Sequence, residues 1–191
     1  LLAITAGRTK RSCLQSLNTE PIHLLFCVVD HFEPQWNRPP LETERRRIDE
    51  WLRRYPPLAA KHRDADGRAP QHTFFYPGEE YRPEHLEKLA DLCHEGFGEV
   101  EIHLHHGHDT AEGFREKIEK TKRDFARHGL LNQDQNEGSL LFGFIHGNWA
   151  LDNSCDDPKW CGVNNELEIL REAGCYADFT LPSAPSEAQT G

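Results

Sequence analysis

The sequence contains no methionine among its 191 residues and no apolar run close to the roughly 18 residues needed to span a bilayer. The missing apolar run predicts that the chain has no transmembrane segment. The missing methionine, the start at Leu1 and the end at Gly191 suggest an internal fragment of a longer reading frame, with a C-terminal part lacking. A leader peptide would be lost with such a truncation, so localisation stays open between a cytoplasmic and an exported soluble protein.

Positive charge is also scarce. The chain has 22 Lys and Arg against 32 Asp and Glu, which gives a formal net charge of -10. A field of this sign repels phosphate backbones, and the basic residues do not form one stripe with aromatic side chains. We therefore expect no nucleic-acid partner, and the sequence carries no indication of an oligomeric state.

None of the six cysteines forms a CxxC pair. Three lie within apolar patterns and are predicted to be buried free thiols: Cys27, Cys93 and Cys175. Cys155 and Cys161 flank a loop, and both a disulfide and a metal-binding role stay open for this pair.

Strand and helix signals alternate along the chain. Apolar runs of strand length cover residues 22–29, 71–76, 99–104, 140–145 and 175–180, and helical spacing covers 40–55, 83–94, 110–128 and 164–173. Pro56-Pro57 is expected to end the first helix. The pattern predicts a single α/β domain over residues 1–191, with parallel strands, helical connections and a poorly defined segment at 1–20.

Polar clusters follow the predicted strands, at the edge where parallel α/β folds build their sites. The most concentrated is the run from His103 to Asp109, in which His103 and His105 share one face of a strand and His108 follows in the loop. Imidazole is a common ligand of zinc and related divalent ions. Asp30 or Glu33, after the first strand, would add a carboxylate oxygen. The run is thus interpreted as a divalent-metal site for assisted hydrolysis, against the alternative of a solvated loop.

The order of these motifs resembles the polysaccharide deacetylase superfamily of carbohydrate esterases. Val28-Val29-Asp30-His31-Phe32-Glu33-Pro34 is similar to the family's acidic first motif, where two aspartates act as general base and metal ligand. By position, the resemblance implies that Asp30 is the base and His31 occupies the ligand position. Because the second aspartate is missing, Asp30, His31 and Glu33 all stay open as metal ligands.

Two further motifs carry the resemblance. Glu101 to His108 resembles the family's histidine motif and implies His105 and His108 as metal ligands, with His103 in a supporting role. The spacing is one residue shorter than usual, and Asp109 stands at the position of the family's second histidine. Phe144 to Trp149 is similar to the motif that lines the substrate groove, with His146 in place of an arginine.

The resemblance implies an incomplete or distorted (β/α) barrel, here a fragment of the full barrel, that binds one divalent metal ion, with zinc expected. It also implies a hydrolase that removes acetyl or related acyl groups from a carbohydrate. Asp30 and an imidazole, assigned to His146, would transfer protons. Asn148, Trp149, Trp36 and Tyr76 would contact the sugar, with loop packing as their alternative role.

Two other functions stay open. A closed-barrel metal-dependent amidohydrolase also uses His-x-His at a strand end, although there the pair follows the first strand and here it follows the third. A metal-binding or glycan-binding relative without activity is compatible with the missing second aspartate.

Overall fold

A computed structural model of the protein describes residues 24–155 and 157–180. They form a six-stranded sheet and four α-helices: β1 Val28–His31, α1 Leu41–Ala59, β2 His72–Pro77, α2 Pro83–His94, β3 Gly98–Leu104, α3 Ala111–Ala126, β4 Asn132–Gln133, β5 Leu140–His146, α4 Glu166–Glu172 and β6 Cys175–Asp178. The predicted segment 1–20, the first two residues of the predicted strand 22–29, and Cys13 lie outside the described residues.

The sheet is parallel apart from one short strand. β1, β2, β3, β5 and β6 lie side by side in the order of the chain, and each pairs in parallel with the next. A helix connects each consecutive pair, while β4 pairs antiparallel with the beginning of β5. The predicted parallel α/β fold is therefore confirmed. A strand order that never reverses is consistent with an incomplete barrel-like arrangement.

All four helices share one hydrophobic core with one face of the sheet. Alternate strand residues such as Phe74, Ile102 and Phe144 point into this core. The helices contribute apolar side chains that are 2% exposed or less: Ile48, Leu86, Leu89, Phe114, Ile118, Phe125, Ile169 and Leu170. Residues of the other parity, including His31 and His103, therefore lie on the face of the sheet without helices.

The first strand begins later than the sequence predicts. Val28 is the first residue of β1 with a partner, because its neighbour in the register is His72, where β2 itself begins. Leu24, Leu25 and Phe26 precede this ladder and are 85–89% exposed. The prediction of a buried strand from residue 22 was therefore wrong for these positions, and Cys27, predicted to be buried, is exposed.

The first helix is longer than predicted and includes Pro56 and Pro57. Proline fixes φ near the helical value but has no N–H, so each of the two rings removes one hydrogen-bond donor from the helix. The helix closes beyond them, where the amide of Ala60 donates to the carbonyl of Pro56 over 2.9 Å. Across the two described ranges, no helix is both long and apolar enough to cross a membrane.

Candidate metal centre

The carboxyl ends of β1, β2, β3 and β5 bring the histidine-rich segments to one edge of the sheet. His31 ends β1, and His146 ends β5. In the register, Pro77 of β2 faces His103, and Leu104 of β3 faces His146. Segments far apart in the sequence thus converge because parallel strands end on the same side.

Three imidazoles surround one carboxylate at this edge. Oε1 of Glu33 lies 3.7 Å from Nδ1 of His31 and 3.8 Å from Nε2 of both His103 and His105. The Nε2 atoms of His103 and His105 are 3.2 Å apart. We call these four residues the open centre, since the side chains of His31 and His105 are 30% and 32% exposed.

The spacing of the open centre fits a divalent cation. Zinc with about 2.0–2.1 Å to each nitrogen in tetrahedral geometry separates two ligand nitrogens by about 3.3 Å. The 3.2 Å between the two imidazoles matches this edge. Ligand atoms of His31, Glu33 and His103 also all lie within 4.8 Å of one another. The donor set of nitrogen and oxygen atoms is one that zinc and similar ions accept.

Glu79 fixes the orientation of His105. Its Oε1 lies 2.6 Å from Nδ1 of His105 and accepts the backbone N–H of the same residue over 3.0 Å. This leaves Nε2 directed at Glu33 and His103, as in the carboxylate–histidine pairs that orient metal ligands. Burial lowers the pKa of His105, but the hydrogen bond and charge of Glu79 outweigh it and raise the pKa above its ordinary value.

His103 lies at the floor of the open centre. Its side chain is fully buried, and this burial holds the pKa of the imidazole well below its ordinary value. His103 is therefore neutral at pH 7 and offers a lone pair. Gly147 makes room for the histidine pair, because a Cβ at that position would come within 2.4 Å of the His105 ring and 2.6 Å of Nε2 of His103.

A cleft of about 440 Å³ opens beside Glu33 and His105. Trp36, whose side chain is largely exposed, and Glu80 also line it. Burial, assisted by the charges of Glu79 and Glu33, raises the pKa of Glu80 to about 7. The cleft thus combines an aromatic surface with a carboxyl group that can either give or accept a proton near neutral pH.

A second cluster of ligand-type side chains lies deeper in the protein. Its members are His106, His146, Cys161 and Glu166, and their ligand atoms all lie within 4.8 Å of one another. All four are buried, and we call them the buried cluster. This set of side chains could hold a metal ion.

Close contacts to Glu166 connect the members of the buried cluster. Its Oε1 lies 3.1 Å from Nε2 of His106 and 3.9 Å from Nε2 of His146. Its Oε2 accepts the thiol of Cys161 over 3.3 Å and the amide of Asp152 over 2.8 Å. Burial lowers the pKa of His146 to about 4, against the opposing effect of Glu166, so this imidazole is neutral at pH 7.

The structure brings together only part of the predicted ligand set. His31 and His105 both belong to the open centre. His108, also predicted to be a ligand, does not belong to the open centre. Its φ is +49°, its side chain is exposed, and its amide donates to the carbonyl of Pro158. Asp109, at the position of the family's second histidine, instead lies 3.3 Å from His106 and 2.5 Å from Lys117.

The two residues predicted to transfer protons also lie elsewhere. Asp30 precedes His31 on a strand, so its side chain leaves on the opposite face. It lines a cleft with Trp51 of α1 that His31 and Glu33 also line, but it does not line the cleft beside His105. His146 is fully buried in the buried cluster and does not reach the open centre's cleft. The expected catalytic pair is therefore not assembled.

Two of the residues predicted to contact a sugar, Tyr76 and Asn148, form hydrogen bonds inside the protein instead. Tyr76 is fully buried, with its hydroxyl between the carbonyl of Glu80 and Nδ1 of His85. Asn148 uses both amide hydrogens internally, on the carbonyls of His106 and Trp160. Trp36 and Trp149 are 60% and 38% exposed. The Trp149 ring lies 5.7 Å from that of His31, and Trp36 lines the cleft beside Glu33. Both indoles are therefore near the open centre.

Several functional positions were missed or underrated from the sequence. His103, expected only to support the site, directs Nε2 into the open centre, and Glu33, left open as a ligand, lies at its middle. His106 and Glu166 were not singled out, and Cys161 was only one member of an undecided pair. No disulfide joins Cys155 and Cys161. His105 and His106 are adjacent in sequence, so their side chains point to opposite faces. This pattern could have indicated two separate sites.

Comparisons of the chain with models of protein families, with curated proteins and with solved structures give no significant match.

Proposed function

We propose that the protein is a metal-dependent hydrolase that removes acetyl or related acyl groups from a carbohydrate, with its reaction at the open centre. The observation that carries this proposal is the arrangement of His31, His103 and His105 around Glu33 at an exposed edge of a parallel sheet. The motif order that resembles the polysaccharide deacetylases supports the choice of substrate, and the unreversed strand order supports an incomplete (β/α) barrel.

The side chains of the open centre have distinct roles in this proposal. A divalent ion held there, with zinc the expected metal, supplies the Lewis acid that polarises an acyl carbonyl and acidifies water. His31, His103 and His105 donate nitrogen lone pairs, and Glu33 contributes an oxygen. Glu79 keeps His105 in the ligand orientation through the 2.6 Å contact.

Glu80 is the residue we assign to proton transfer. It lines the cleft with Glu33 and His105, whereas Asp30 lies on the α1 side. A carboxyl group with a pKa of about 7 matches the pKa of zinc-bound water, so it would take a proton from such water and return it to a leaving nitrogen or oxygen without a large energetic cost.

Exposed aromatic side chains support a carbohydrate substrate. Trp36 lines the cleft, and Trp149 lies against His31 on another side of the open centre. Flat apolar rings of this kind bury the C–H faces of a sugar while leaving its hydroxyl groups to water.

The direct test measures acetate released from N-acetylated and O-acetylated oligosaccharides by protein loaded with zinc, cobalt, nickel or manganese. We expect release by the wild type, loss of at least about 100-fold in His105→Ala, since a metal ligand is removed, and little change in His108→Ala. The latter is a matched control because it removes an exposed imidazole three residues away. No release with any of the metals would contradict the proposal, and metal binding without release would favour a non-catalytic relative.

A second candidate is a closed-barrel amidohydrolase. It is favoured by one observation, that His103 on β3 and His105 directly after its end both direct Nε2 into the open centre. Hydrolysis of small cyclic amides or ureides, with no acetate release from acetylated sugars, would select it over the deacetylase.

A further inference from the structure

The buried cluster draws its side chains from four different segments. His106 follows β3, His146 ends β5, Cys161 belongs to the long connection between β5 and α4, and Glu166 begins α4. None of these side chains lines the cleft beside the open centre. The cluster is therefore separate from the site to which we assign the reaction.

The polar atoms of the cluster are incompletely paired. Glu166 is fully buried, and the only basic partners recorded for it in the described part of the chain are His106 and His146. Nε2 of His146 is buried without a hydrogen-bond partner and lies 3.9 Å from Glu166. A buried carboxylate and an orphaned imidazole nitrogen are costly unless something binds between them.

We propose that His106, His146, Cys161 and Glu166 form a second, structural zinc site. Two imidazoles, a thiolate and a carboxylate complete a four-coordinate shell without an open position, which is typical of structural zinc. The two negative charges of Cys161 and Glu166 neutralise the dication. The site thus carries no net charge, as its full burial requires.

Binding leaves every proton accounted for. The thiol proton of Cys161 is released to solvent, so one zinc ion displaces one proton. Nε2 of His106 donates to Oε1 of Glu166 over 3.1 Å, so zinc at Nε2 would move this proton to Nδ1, which lies 3.3 Å from Oδ2 of Asp109. Nδ1 of His146 accepts the amide of Asn148 over 3.1 Å, so zinc at Nε2 would move the imidazole proton to Nδ1 and break this hydrogen bond, with no further proton released.

The site ties the long connection to the sheet edge. His106 directly follows His105, and Asn148 of the connection donates to the carbonyl of His106 over 2.8 Å. Zinc in the buried cluster would therefore hold the backbone from which His105 reaches the open centre. This makes His106 a positioning residue for the open centre rather than a ligand of it.

The test uses cobalt as a zinc substitute, because a thiolate ligand gives a charge-transfer band that nitrogen and oxygen ligands do not. The full chain carrying His105→Ala, in which the open centre is impaired, is titrated with Co²⁺. We expect one equivalent to produce the thiolate band. The same chain with Cys161→Ser should lack the band, and with Cys93→Ser, a half-buried cysteine of α2, should retain it.

A measurement on the unaltered protein covers the case in which Cys161→Ser does not fold. Elemental analysis of the zinc-loaded wild type is expected to give two zinc ions per chain, and X-ray absorption an averaged shell that includes a sulfur neighbour at about 2.3 Å. Absence of the band from the His105→Ala chain, its persistence in a folded Cys161→Ser chain, or zinc without a sulfur neighbour would overturn the inference. None of these readouts depends on hydrolysis, so failure of the proposed function would be recognised separately.

Discussion

Glu79 and Glu80 are neighbours in sequence with different environments at the same edge of the sheet. Glu79 is exposed and contacts His105 through both its ring and its backbone. Glu80 is partly buried, with Oε2 lacking a hydrogen-bond partner, and its carbonyl accepts the hydroxyl of Tyr76. The two carboxylates are therefore expected to serve different purposes, one orienting a ligand and the other transferring protons.

Replacing Glu79 by Gln should weaken metal binding at the open centre by about 10–100-fold, because a charged partner of a ligating imidazole is lost. Competition with a chelator of known affinity measures the change in the dissociation constant. Glu87→Gln, at an exposed position of α2, is the control and should bind as the wild type does. Equal metal affinities for all three proteins would show that Glu79 does not support metal binding through His105.

Replacing Glu80 by Gln should reduce turnover by about 100-fold or more while leaving the metal affinity within a few-fold of wild type. An amide cannot exchange protons with water or a leaving group, and general acid–base catalysis contributes about 10²–10⁴-fold. Acetate release and metal titration are measured on the same preparation. Unchanged turnover would assign proton transfer to another group.

The sequence predicted which segments reach this edge better than the direction in which their side chains point. His31 and His105 follow from strand ends and histidine spacing, but the side on which each residue points depends on the local turn. His108 has a positive φ and turns outward, which no spacing rule indicates. Buried acidic residues were also unpredictable: Glu101 lies in the sheet because the amide of Gly143 and the hydroxyl of Tyr176 both bond to it.

At the scale of elements, the turn after β5 sets the spacing of the open centre. The amide of Gly147 donates to the carbonyl of Leu104 over 2.8 Å, which places its α-carbon against the His103 and His105 rings. No side chain fits between this backbone and the imidazoles. The strand pairing of β3 with β5 and the metal geometry are therefore coupled.

Gly147→Ala should destabilise the protein by about 1–3 kcal/mol, as overpacking does, and weaken the metal site. If contact with the His105 ring is part of the cause, Gly147→Ala should cost less in a chain that already carries His105→Ala, where only the contact with His103 remains. A double-mutant cycle of chemical unfolding measures this coupling. Additive effects of the two substitutions would show that the clash with His105 is not the cause.

The elements themselves were largely predictable, and the errors have physical reasons. Pro83 at the start and Gly96 after the end bracket α2, and Thr110 caps α3 by accepting the amide of Gly113 over 3.1 Å. The start of β1 could not be predicted, because the partner strand β2 determines it. Helix α1 continues past Pro56 because the amide of Ala60 still bonds to the carbonyl of Pro56 at its end.

In the whole molecule, one sheet carries both the hydrophobic core and the two groups of ligand-type side chains. The face that carries the helices holds the hydrophobic core, and the carboxyl edge holds the open centre and the buried cluster. Both groups of ligands join segments that are distant in sequence. Metal binding is therefore expected to stabilise the fold as well as to prepare the site.

Zinc at 100 times its dissociation constant should raise the free energy of unfolding by about 2.7 kcal/mol for each site that binds it only in the folded state. Denaturant unfolding in zinc and in a chelator measures the difference. Superimposable curves would show that the folded chain does not bind zinc preferentially. A smaller gain in His105→Ala than in His108→Ala would attribute part of the effect to the open centre.

His31, Glu33, His103 and His105 are proposed to hold one divalent metal ion together. Anomalous diffraction from zinc-soaked crystals, collected above and below the zinc edge, tests it most directly. The account predicts a peak at about 2.0–2.2 Å from the three imidazoles and the Glu33 carboxylate. Zinc bound at His108 or elsewhere on the surface, with no peak among these four side chains, would contradict it.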